Sequence, residues 1–406
     1  MIVAHLSLID YRNYETAEVV LVPGANLFVG SNGQGKTNLV EAIGYLGTLS
    51  SHRVSTDQAL IRSGVDAAIV RARLQHGERE VLLEVQLNRS GANRAQVNRV
   101  AVKPRELPRH IATVLFAPED LALVRGEPSG RRRFLDQLLV QLSPRLAGVL
   151  ADYDRVLRQR NSLLKSARGS RVAESQLSTL NLWDERLVEL GSQIVDARAG
   201  LVDRLRPHVA HAYEGIAGAG HRAGLALELS ILGAQPDDEG VPTAVDPGTL
   251  VAENAATGSA GGDRGAGPAA TRTADAFRAA VTRVRRSELD RGITLMGPHR
   301  DDLMLMLNDL PARGYASHGE SWSFALSLKL ASAALLRAES QIGDPVVVLD
   351  DVFAELDEAR RAQLASAIGD YEQVLITAAV LDDVPAELAG HTVRIRAGRV
   401  LGADEE

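Results

Sequence analysis

The sequence predicts an α/β protein in which a mixed sheet with an antiparallel β subdomain is interrupted by an inserted, mainly helical second lobe. Short β-rich runs separated by turn residues fill the first hundred residues, helical periodicity begins at Ser129, and buried-strand patterns return after Gly292. We therefore divide the chain into one lobe made of residues 1–128 and 292–406, and an insertion lobe at residues 129–291.

The first lobe begins with strands and tight turns. We predict strands, in chain order, at residues 3–8, 18–22, 26–29, 67–74, 80–87 and 96–102. The connectors around Gly77 and Gly91 have residues typical of hairpin turns, so we expect an antiparallel meander. A helix at residues 36–47 interrupts this meander, and residues 111–116 form a further apolar strand.

Two apolar stripes at helical spacing predict long helices in the insertion lobe. The first stripe consists of Leu146, Val149, Leu150, Tyr153, Val156 and Leu157. The second has heptad spacing and consists of Leu180, Trp183, Leu187, Leu190, Ile194, Ala197 and Leu201. Two helices of about 25 residues would form an arm of roughly 35 to 40 Å. The pattern fits both helices packed on a lobe and a projecting coiled coil.

Residues 233–276 have a different composition from the rest of the insertion lobe. This segment contains one leucine, Leu250, and neither isoleucine nor an aromatic residue. It cannot bury enough apolar surface to offset the entropy lost on ordering. We predict a disordered insertion rather than a domain boundary, because helix and strand patterns resume at Phe277.

The C-terminal part completes the first lobe with alternating strands and helices. We predict strands at residues 293–296, 303–307, 346–349 and 374–376, and helices at residues 320–339 and 357–368.

Composition excludes several classes of protein. The chain has 406 residues, a formal net charge of −7 and no cysteine, so disulfides and thiolate metal sites are excluded. Residues 1–8 contain His5 and differ from a secretion signal, and no stretch approaches the roughly 18 apolar residues of a membrane helix. We expect a cytoplasmic protein with no membrane partner.

The net charge averages two opposed segments. Residues 125–171 contain eleven Lys and Arg against four acids, whereas residues 231–275 are acidic. The basic segment includes the run Arg131 to Arg133, which is either a solvated face or a set of contacts to nucleic-acid phosphates.

A phosphate loop lies between a predicted strand and a predicted helix, in the context that this motif requires. Its members are Gly30, Ser31, Asn32, Gly33, Gln34, Gly35, Lys36 and Thr37, followed by Asn38. Backbone N–H groups and the helix N-terminus favour phosphate here. Lys36 is expected to contact the β and γ phosphates of a nucleotide, and Thr37 is expected to bind Mg²⁺.

An apolar strand ending in two carboxylates forms the Walker B arrangement at residues 345–351. A buried parallel strand would deliver Asp350 to the edge of the sheet beside the phosphate loop, where it can bind Mg²⁺. Asp351 then points toward the water that attacks the γ phosphate.

The segment Ser317-His318-Gly319-Glu320 opens a long predicted helix about thirty residues before Asp350. A serine and a glycine ahead of a helix offer a hydroxyl and free N–H groups to a second phosphate. Taken alone, the same residues are an ordinary N-cap followed by Glu. The position just before a Walker B strand favours the phosphate-binding signature.

The order of these motifs resembles the ABC ATPase heads of the SMC class. Within that class the chain resembles the RecF family, and the resemblance covers nearly the whole chain except residues 233–276. The segments that carry it are residues 8–14 (Leu-Ile-Asp-Tyr-Arg-Asn-Tyr), 51–53 (Ser-His-Arg), 116–120 (Phe-Ala-Pro-Glu-Asp) and 297–303 (Gly-Pro-His-Arg-Asp-Asp-Leu).

The resemblance implies an ABC-type ATPase head that binds ATP with Mg²⁺ and dimerises head to head around two nucleotides. It implies binding to double-stranded DNA at gaps or junctions, DNA-stimulated ATP hydrolysis, and loading of RecA recombinase with RecR and RecO. It assigns Arg12 to the nucleotide phosphates, Ser317 and Gly319 to the partner's γ phosphate, and catalytic roles to Lys36, Ser317 and Asp351.

Three departures from ABC ATPases accompany this resemblance. Residues 116–120 occupy the place of the Q-loop but contain no glutamine. Thr377 occupies the place of the switch histidine of transporters. Asp351 stands where transporters usually carry Glu, so slow hydrolysis is expected.

Other interpretations remain beside this one. A transporter nucleotide-binding subunit is disfavoured by the insertion of about 150 residues and by Thr377, a long-armed structural SMC protein by chain length, and a nucleotide kinase by Ser317 and Gly319. His299 with Asp301 and Asp302 suggests either a metal site or a structural turn, of which the turn is favoured.

Overall fold

A computed structural model describes most of the chain. The described residues are 1–170, 178–218, 220–233, 269–340 and 342–401. Most of the predicted disordered insertion, residues 234–268, therefore lies outside the described residues, as does Arg171.

The strands are, in chain order, β1 (Ile2–Tyr11), β2 (Tyr14–Val20), β3 (Gly24–Val29), β4 (Ala67–His76), β5 (Arg79–Asn88), β6 (Arg94–Val97), β7 (Val100–Val102), β8 (Thr113–Phe116), β9 (Ala223–Glu228), β10 (Asp302–Leu307), β11 (Leu310–Pro311), β12 (Val346–Asp350), β13 (Gln373–Ala378), β14 (His391–Arg396) and β15 (Arg399–Val400). The helices are α1 (Lys36–Thr48), α2 (Leu121–Arg125), α3 (Pro128–Leu142), α4 (Leu146–Ser170), α5 (Ser178–Ala217), α6 (Ala269–Arg291), α7 (Ala312–Tyr315), α8 (His318–Glu339) and α9 (Glu358–Ile368).

The central sheet has the order β15-β14-β3-β13-β12-β8 and is parallel except at the β14–β15 hairpin. Every residue of β12 and β13 is buried. Such continuous apolar strands are typical of parallel sheets covered on both faces. This sheet combines strands from both ends of the chain and carries the phosphate loop and the Walker B strand.

A second, antiparallel sheet has the order β2-β1-β4-β5-β6-β7 and confirms most of the predicted meander. The strand at residues 26–29 does not belong to it. It pairs in parallel with β13 and β14 in the central sheet, so the meander prediction is wrong for this strand. Local alternation cannot distinguish these two sheets, because pairing depends on strands from the far end of the chain.

Strand β9 lies inside the insertion lobe, where the sequence predicted helices. It pairs antiparallel with β10, which follows the insertion, so that Leu225 faces Leu305 across the ladder. The alternating segment at residues 223–228 is short, and its partner is distant in sequence. The insertion is therefore mainly helical but returns to the first lobe as a strand.

Helix α5 joins two hydrophobic cores. Its first half contributes Leu187 and Ile194 to a core within the insertion lobe, whereas Leu205 and Tyr213 in its second half belong to the main core. The Tyr213 ring lies 5.7 Å from the Phe324 ring of α8, measured between centroids. Of the two arrangements left open by the sequence, this packing is that of helices on a lobe rather than a projecting coiled coil.

Residues 293–296 do not form the predicted strand. Their segment is irregular and its backbone groups bond to side chains: Thr294 N–H donates to Asn161 Oδ1 at 2.8 Å, and Leu295 N–H donates to Glu288 Oε1 at 2.8 Å. A buried backbone donor needs a partner, and here polar side chains replace a strand neighbour. The apolar run in the sequence carried no sign of these partners.

Helix α6 begins at Ala269, so the predicted disordered segment ends earlier than residue 276. Within this helix Thr273 Oγ1 donates to Asp196 Oδ1 at 2.6 Å, and Phe277 is fully buried. The prediction considered apolar content only, whereas an alanine-rich run has high helix propensity and docks through its later residues.

Arg160 ties three helices of the insertion lobe together. The side chain is fully buried, and its Nε donates to Asp184 Oδ1 of α5 at 2.7 Å. Its Nη2 donates to Glu288 Oε2 of α6 at 2.5 Å, and its Nη1 donates to Thr294 Oγ1 at 2.8 Å. Two buried carboxylates thus share the guanidinium of Arg160, and Asp184 also pairs with Arg285 of α6.

Among the described residues, no helix is long and apolar enough to span a membrane.

We predict that Arg160→Ala lowers the free energy of unfolding by about 3 to 5 kcal/mol, because it leaves Asp184 and Glu288 buried without this cation. Urea denaturation followed by circular dichroism measures this change. Arg155→Ala removes an exposed pair with Asp152 and is the matched control, with an expected loss below about 1 kcal/mol. Equal losses in the two variants would contradict the structural role of Arg160.

Candidate nucleotide site

The phosphate loop connects β3 to α1 through glycines with unusual backbone angles. Gly33 has φ of 80° and Gly35 has φ of 117°, both in the region that favours glycine. Gly35 is the N-cap of α1, and no side chain caps the helix. The first turn of α1 therefore presents its N–H groups to the loop, as an anion-binding helix start requires.

Two hairpins hold this loop from outside. Between β1 and β2, Asn13 Nδ2 donates to Gln34 O at 3.1 Å and Tyr14 Oη donates to Gly35 O at 3.1 Å. Between β14 and β15, Gly398 N–H donates to Gln34 O at 3.0 Å. The loop shape is thus set by both ends of the chain as well as by its own glycines.

Neighbouring atoms lie so close to two of the loop glycines that these positions have no room for a side chain. A Cβ atom added at Gly30 would lie 2.3 Å from the Ile395 carbonyl oxygen, and one added at Gly35 would lie 2.7 Å from Tyr14 Oη. Both distances are shorter than real Cβ contacts. The predicted glycine pattern therefore has a packing reason in addition to its conformational one.

Lys36 lies inside the loop that it belongs to. Its Nζ donates to the carbonyl oxygen of Gly30 at 2.8 Å and of Ser31 at 3.3 Å, and lies 3.4 Å from Asn32 Oδ1. Lys36 is 3% exposed, and within the described residues no carboxylate pairs with it. A buried ammonium held only by dipoles is suited to receive a phosphate.

The Walker B strand meets the phosphate loop through Asp350. Thr37 Oγ1 donates to Asp350 Oδ1 at 2.9 Å, and Thr377 Oγ1 donates to the same oxygen at 2.8 Å. Asp350 is buried at the end of β12. A hydroxyl and a carboxylate are the oxygen ligands that Mg²⁺ prefers, so this donor set fits the predicted metal.

Asp351 follows Asp350 in a left-handed backbone conformation, with φ of 52°. Its N–H donates to Thr377 Oγ1 at 2.9 Å. Burial raises the pKa of the Asp351 carboxyl, and the neighbouring Asp350 carboxylate raises this pKa further. Such a carboxyl accepts a proton more readily than an ordinary aspartate. Thr377, noted in the sequence only for the histidine that it replaces, thus bonds to the Asp350 carboxylate and to the Asp351 N–H.

The Arg12 guanidinium is bonded to a buried carboxylate of α1. Its Nε and Nη2 bond to the two carboxylate oxygens of Glu41 at 2.8 and 2.7 Å, and its Nη1 donates to Ala59 O at 3.1 Å. Glu41 lies on the buried face of α1 and is 1% exposed. The contact of Arg12 with the nucleotide phosphates thus stays a prediction, and in this structure the guanidinium pairs with a buried acid.

Asn38, also predicted to bind the nucleotide, has its side chain between two neighbours. Its Nδ2 donates to Asn13 Oδ1 at 2.7 Å, and its Oδ1 accepts from Arg53 Nη1 at 3.0 Å. Sequence reasoning missed the roles of Asn13 and Glu41. Only Glu41 carried a signal, since an acid within an apolar helix face indicates a buried partner.

Ser317 caps α8 and is exposed. Its Oγ accepts from Glu320 N–H at 3.3 Å, while its own N–H donates to Glu320 Oε2 at 2.7 Å, which is a complete capping box. These local bonds involve no residue of the phosphate loop. The structure therefore does not bring Ser317 and Lys36 together within one chain.

Arg360 connects this signature to the turn after the Walker B strand. A Cβ atom added at Gly319 would lie 3.0 Å from Arg360 Nη2, and Arg360 Nε donates to Ser323 Oγ at 3.1 Å. Arg360 N–H donates to Asp357 Oδ1 at 2.9 Å, which caps α9. The helices α8 and α9 thus share a polar contact beside Gly319.

The segment in the Q-loop position contacts α8. Asp120 Oδ1 pairs with Lys329 Nζ at 2.8 Å, while Asp120 Oδ2 accepts from Ala117 N–H at 2.9 Å. Lys329 Nζ also donates to Leu115 O at 2.7 Å. This segment and the residue before it therefore contact the signature helix α8 through an ion pair and a hydrogen bond, although the segment has no glutamine.

The run Arg131 to Arg133 is mostly structural rather than exposed. Arg131 is buried and forms a two-bond pair with Asp302 at 2.7 and 2.8 Å, and Arg132 Nη1 donates to Asp301 O at 2.7 Å. Only Arg133 of the three is exposed. The prediction of a phosphate-binding cluster is wrong for Arg131, because charge density in the sequence does not reveal burial.

Three residues considered for a metal site have other partners. His299 Nδ1 lies 2.7 Å from Tyr153 Oη, and burial lowers the pKa of His299 to about 3. Asp301 Oδ1 accepts from Ser230 N–H at 2.9 Å, and burial raises the pKa of Asp301 to about 6. Asp302 pairs with a buried arginine, as described above. These contacts support the structural turn that the sequence favoured.

The chain is similar to known proteins over nearly its full length. The family model described as "RecF/RecN/SMC N terminal domain" matches residues 2–398. The DNA replication and repair protein RecF of Clavibacter michiganensis subsp. michiganensis is 61% identical over 99% of this chain and 96% of its own length. The solved recombination mediator protein RecF-ATPrS in the RecFOR pathway has a TM-score of 0.82 at 26% identity, covering 98% of this chain and 97% of its own.

A solved Smc head bound to the C-winged helix domain of ScpA is a more distant match. Its TM-score is 0.52 at 15% identity, with 100% of this chain and 98% of the other covered, which shows a shared fold alone. The fold is accordingly that of an ABC-type ATPase head of the SMC class with an inserted lobe. The chain belongs to the RecF family of DNA replication and repair proteins.

Proposed function

We propose that this chain binds ATP with Mg²⁺, dimerises head to head with a second copy, and binds duplex DNA at gaps or junctions. There it hydrolyses ATP slowly, with stimulation by DNA, and helps RecR and RecO load RecA recombinase. The observation that best supports nucleotide binding is the 2.9 Å hydrogen bond from Thr37 to Asp350 beside an uncapped helix start. The solved relatives of the RecFOR pathway support the partners.

In this proposal the residues of one chain hold most of the nucleotide. The loop N–H groups and Lys36 bind the phosphates, while Thr37 and Asp350 supply oxygen ligands to Mg²⁺. When bound, Mg²⁺ neutralises the charge that develops on the phosphates. Asp351 orients the attacking water and accepts its proton.

The second half of the site comes from the partner chain. Ser317 is exposed at the start of α8, and its hydrogen bonds are to Glu320 and Ser321 of the same helix. A hydroxyl and free N–H groups at a helix start favour an anion. We therefore place Ser317 and Gly319 against the γ phosphate held by the other copy. Arg360 and Lys329 would connect this contact to the rest of the head.

Duplex DNA is proposed to contact the exposed basic residues of α4. Arg158, Lys165 and Arg168 are exposed, and spacings of seven and three residues place them toward one side of the helix. The inserted Cβ of Gly292 would lie 3.4 Å from Arg168 Cδ, so the C-terminal end of α6 adjoins the same surface. These residues replace the buried Arg131 as candidates for phosphate contacts.

We predict that Lys36→Ala lowers ATP affinity roughly tenfold to a hundredfold without changing the fold, because charged hydrogen bonds contribute about 1.5 to 3 kcal/mol. Isothermal titration calorimetry with Mg²⁺ measures the affinity. Lys103→Ala, which changes an exposed lysine directly after β7, is the control and should bind ATP as the wild type does. Unchanged affinity in Lys36→Ala would contradict the phosphate-loop assignment.

We predict that Ser317→Arg leaves ATP binding by the monomer intact but abolishes ATP-induced dimerisation, because a bulky cation replaces a small hydroxyl at the dimer surface. Light scattering after gel filtration, with and without ATP, measures the mass. The same change at Ser287, an exposed serine of α6, should leave dimerisation unchanged. Wild-type dimerisation of Ser317→Arg would rule out the composite site.

A mixture of two variants tests the same mechanism independently. Ser317→Arg has an intact phosphate loop and Lys36→Ala has an intact signature, so a mixed dimer contains one complete site. We expect the mixture to recover part of the ATP hydrolysis that each variant lacks alone. Absence of recovery, with both variants folded, would argue against a site shared between chains.

We predict that changing Arg158, Lys165 and Arg168 to Glu weakens duplex DNA binding. The slope of log affinity against log salt concentration is negative, and its magnitude should decrease by about two to three, since each phosphate contact contributes about 0.9. Fluorescence anisotropy between about 50 and 200 mM salt measures this slope. The control makes the same charge change at three exposed arginines outside the insertion lobe, Arg79, Arg99 and Arg105. If the two variants had equal slopes of log affinity against log salt concentration, duplex DNA would have to contact a surface other than α4.

A further inference from the structure

The loop after α1 is fixed by buried hydrogen bonds. Ser51 Oγ accepts from Arg53 N–H at 2.9 Å and from Val54 N–H at 3.1 Å, and donates to Glu41 Oε1 at 2.5 Å. Glu41 is in turn held by two bonds from Arg12. The backbone on either side of His52 is therefore well defined.

This loop directs His52 toward the Walker B carboxylate. The Nε2 atom of His52 lies 3.5 Å from Asp350 Oδ2, and the His52 side chain is 15% exposed. Nε2 itself is shielded from solvent and has no hydrogen-bond partner among the described residues. A buried polar nitrogen left without a partner costs about 1 to 3 kcal/mol, and a hydrogen bond to the nearby Asp350 carboxylate would remove that cost.

The two oxygens of Asp350 have different surroundings. Oδ1 accepts hydrogen bonds from Thr37 and Thr377, at 2.9 and 2.8 Å. Oδ2 faces His52, and within the described residues no lysine or arginine forms an ion pair with Asp350. Rotation of the carboxylate would remove Oδ1 from Thr37. His52 is the group placed to oppose that rotation.

We propose that His52 is a positioning residue for the metal-binding carboxylate of Asp350. A short movement brings Nε2–H within hydrogen-bond distance of Oδ2, which orients the carboxylate so that Oδ1 stays beside Thr37. Groups that hold a metal-binding side chain from behind contribute to metal affinity, and their loss typically costs about 10- to 100-fold. This inference rests on the proposed binding of Mg²⁺ and ATP, and adds a residue to that site.

Two substitutions distinguish this role from simple packing. In His52→Gln the amide nitrogen is three bonds from Cβ, as Nε2 is in histidine, whereas in His52→Asn it is two bonds away. Gln therefore retains a donor near Oδ2 and Asn does not. Both are polar, and both remove the imidazole ring, so a requirement for the ring itself would affect them equally.

The experiment titrates Mg²⁺ into wild-type and variant full-length protein with a fluorescent ATP analogue, and measures the Mg²⁺ concentration at half-maximal nucleotide binding. We expect His52→Ala and His52→Asn to raise this concentration about tenfold or more, and His52→Gln to stay within about threefold of wild type. Nucleotide binding without Mg²⁺ should be equal in all four proteins. Melting temperatures within a few degrees of wild type identify the variants that fold.

A second comparison uses Asp350→Asn. Residues that act through one contact are not additive, so adding His52→Ala to Asp350→Asn should change the Mg²⁺ dependence no further. Three outcomes would each overturn the proposal for His52. The effects of His52→Ala and Asp350→Asn on the Mg²⁺ dependence could be fully additive, His52→Ala could show the wild-type Mg²⁺ dependence, or the Gln and Asn variants could lose equal amounts of Mg²⁺ affinity. Failure of the wild type to bind the analogue with Mg²⁺ would instead contradict the proposed nucleotide site as a whole, and His52 with it.

Discussion

The parallel pairing of β3 with β13 is the constraint on which the candidate site depends. Leu27 pairs with Ile376 and Val29 with Ala378, so the strand that enters the phosphate loop ends level with the strand that follows the Walker B turn. Strand β12 lies on the other side of β13 and ends at Asp350. Thr37 can reach Asp350 only because these three strand ends are aligned.

Buried charged pairs set much of the remaining geometry. Arg12 holds Glu41, Arg131 holds Asp302, and Arg160 holds two carboxylates, each with hydrogen bonds of ordinary length. Such pairs add little net stability compared with an apolar core, but removing one partner is costly. Several arginines that a sequence presents as candidates for ligand binding are therefore required for folding.

The phosphate loop and the Ser317 signature lie on different elements of the head, and the signature helix has polar links to two other segments. Arg360 joins the signature helix to the turn after the Walker B strand, and Lys329 joins it to the segment before α2.

The sequence alone determined the features that depend on local spacing. The phosphate loop, the apolar Walker B strand, the capping box at Ser317 and the long helices could be predicted, because each is encoded within a few turns or strand residues. Their order also indicated the family. The proposed DNA surface had only a coarse signal, since residues 125–171 are basic as a group.

The tertiary structure decided which side chains are available to a ligand. Arg12 was expected at the nucleotide phosphates, and Arg131 belonged to a run that suggested either a solvated face or phosphate contacts. In the structure both side chains pair with buried acids from distant segments. Residues 293–296 do not form the predicted strand, because side chains accept hydrogen bonds from their N–H groups. Strand β9 pairs with β10, which lies beyond the insertion. His52 lies in a segment that carries the family resemblance, but only the tertiary structure brings its Nε2 atom beside Asp350. The physical reason is common to all: burial and pairing depend on residues far away in the chain, which local patterns do not record.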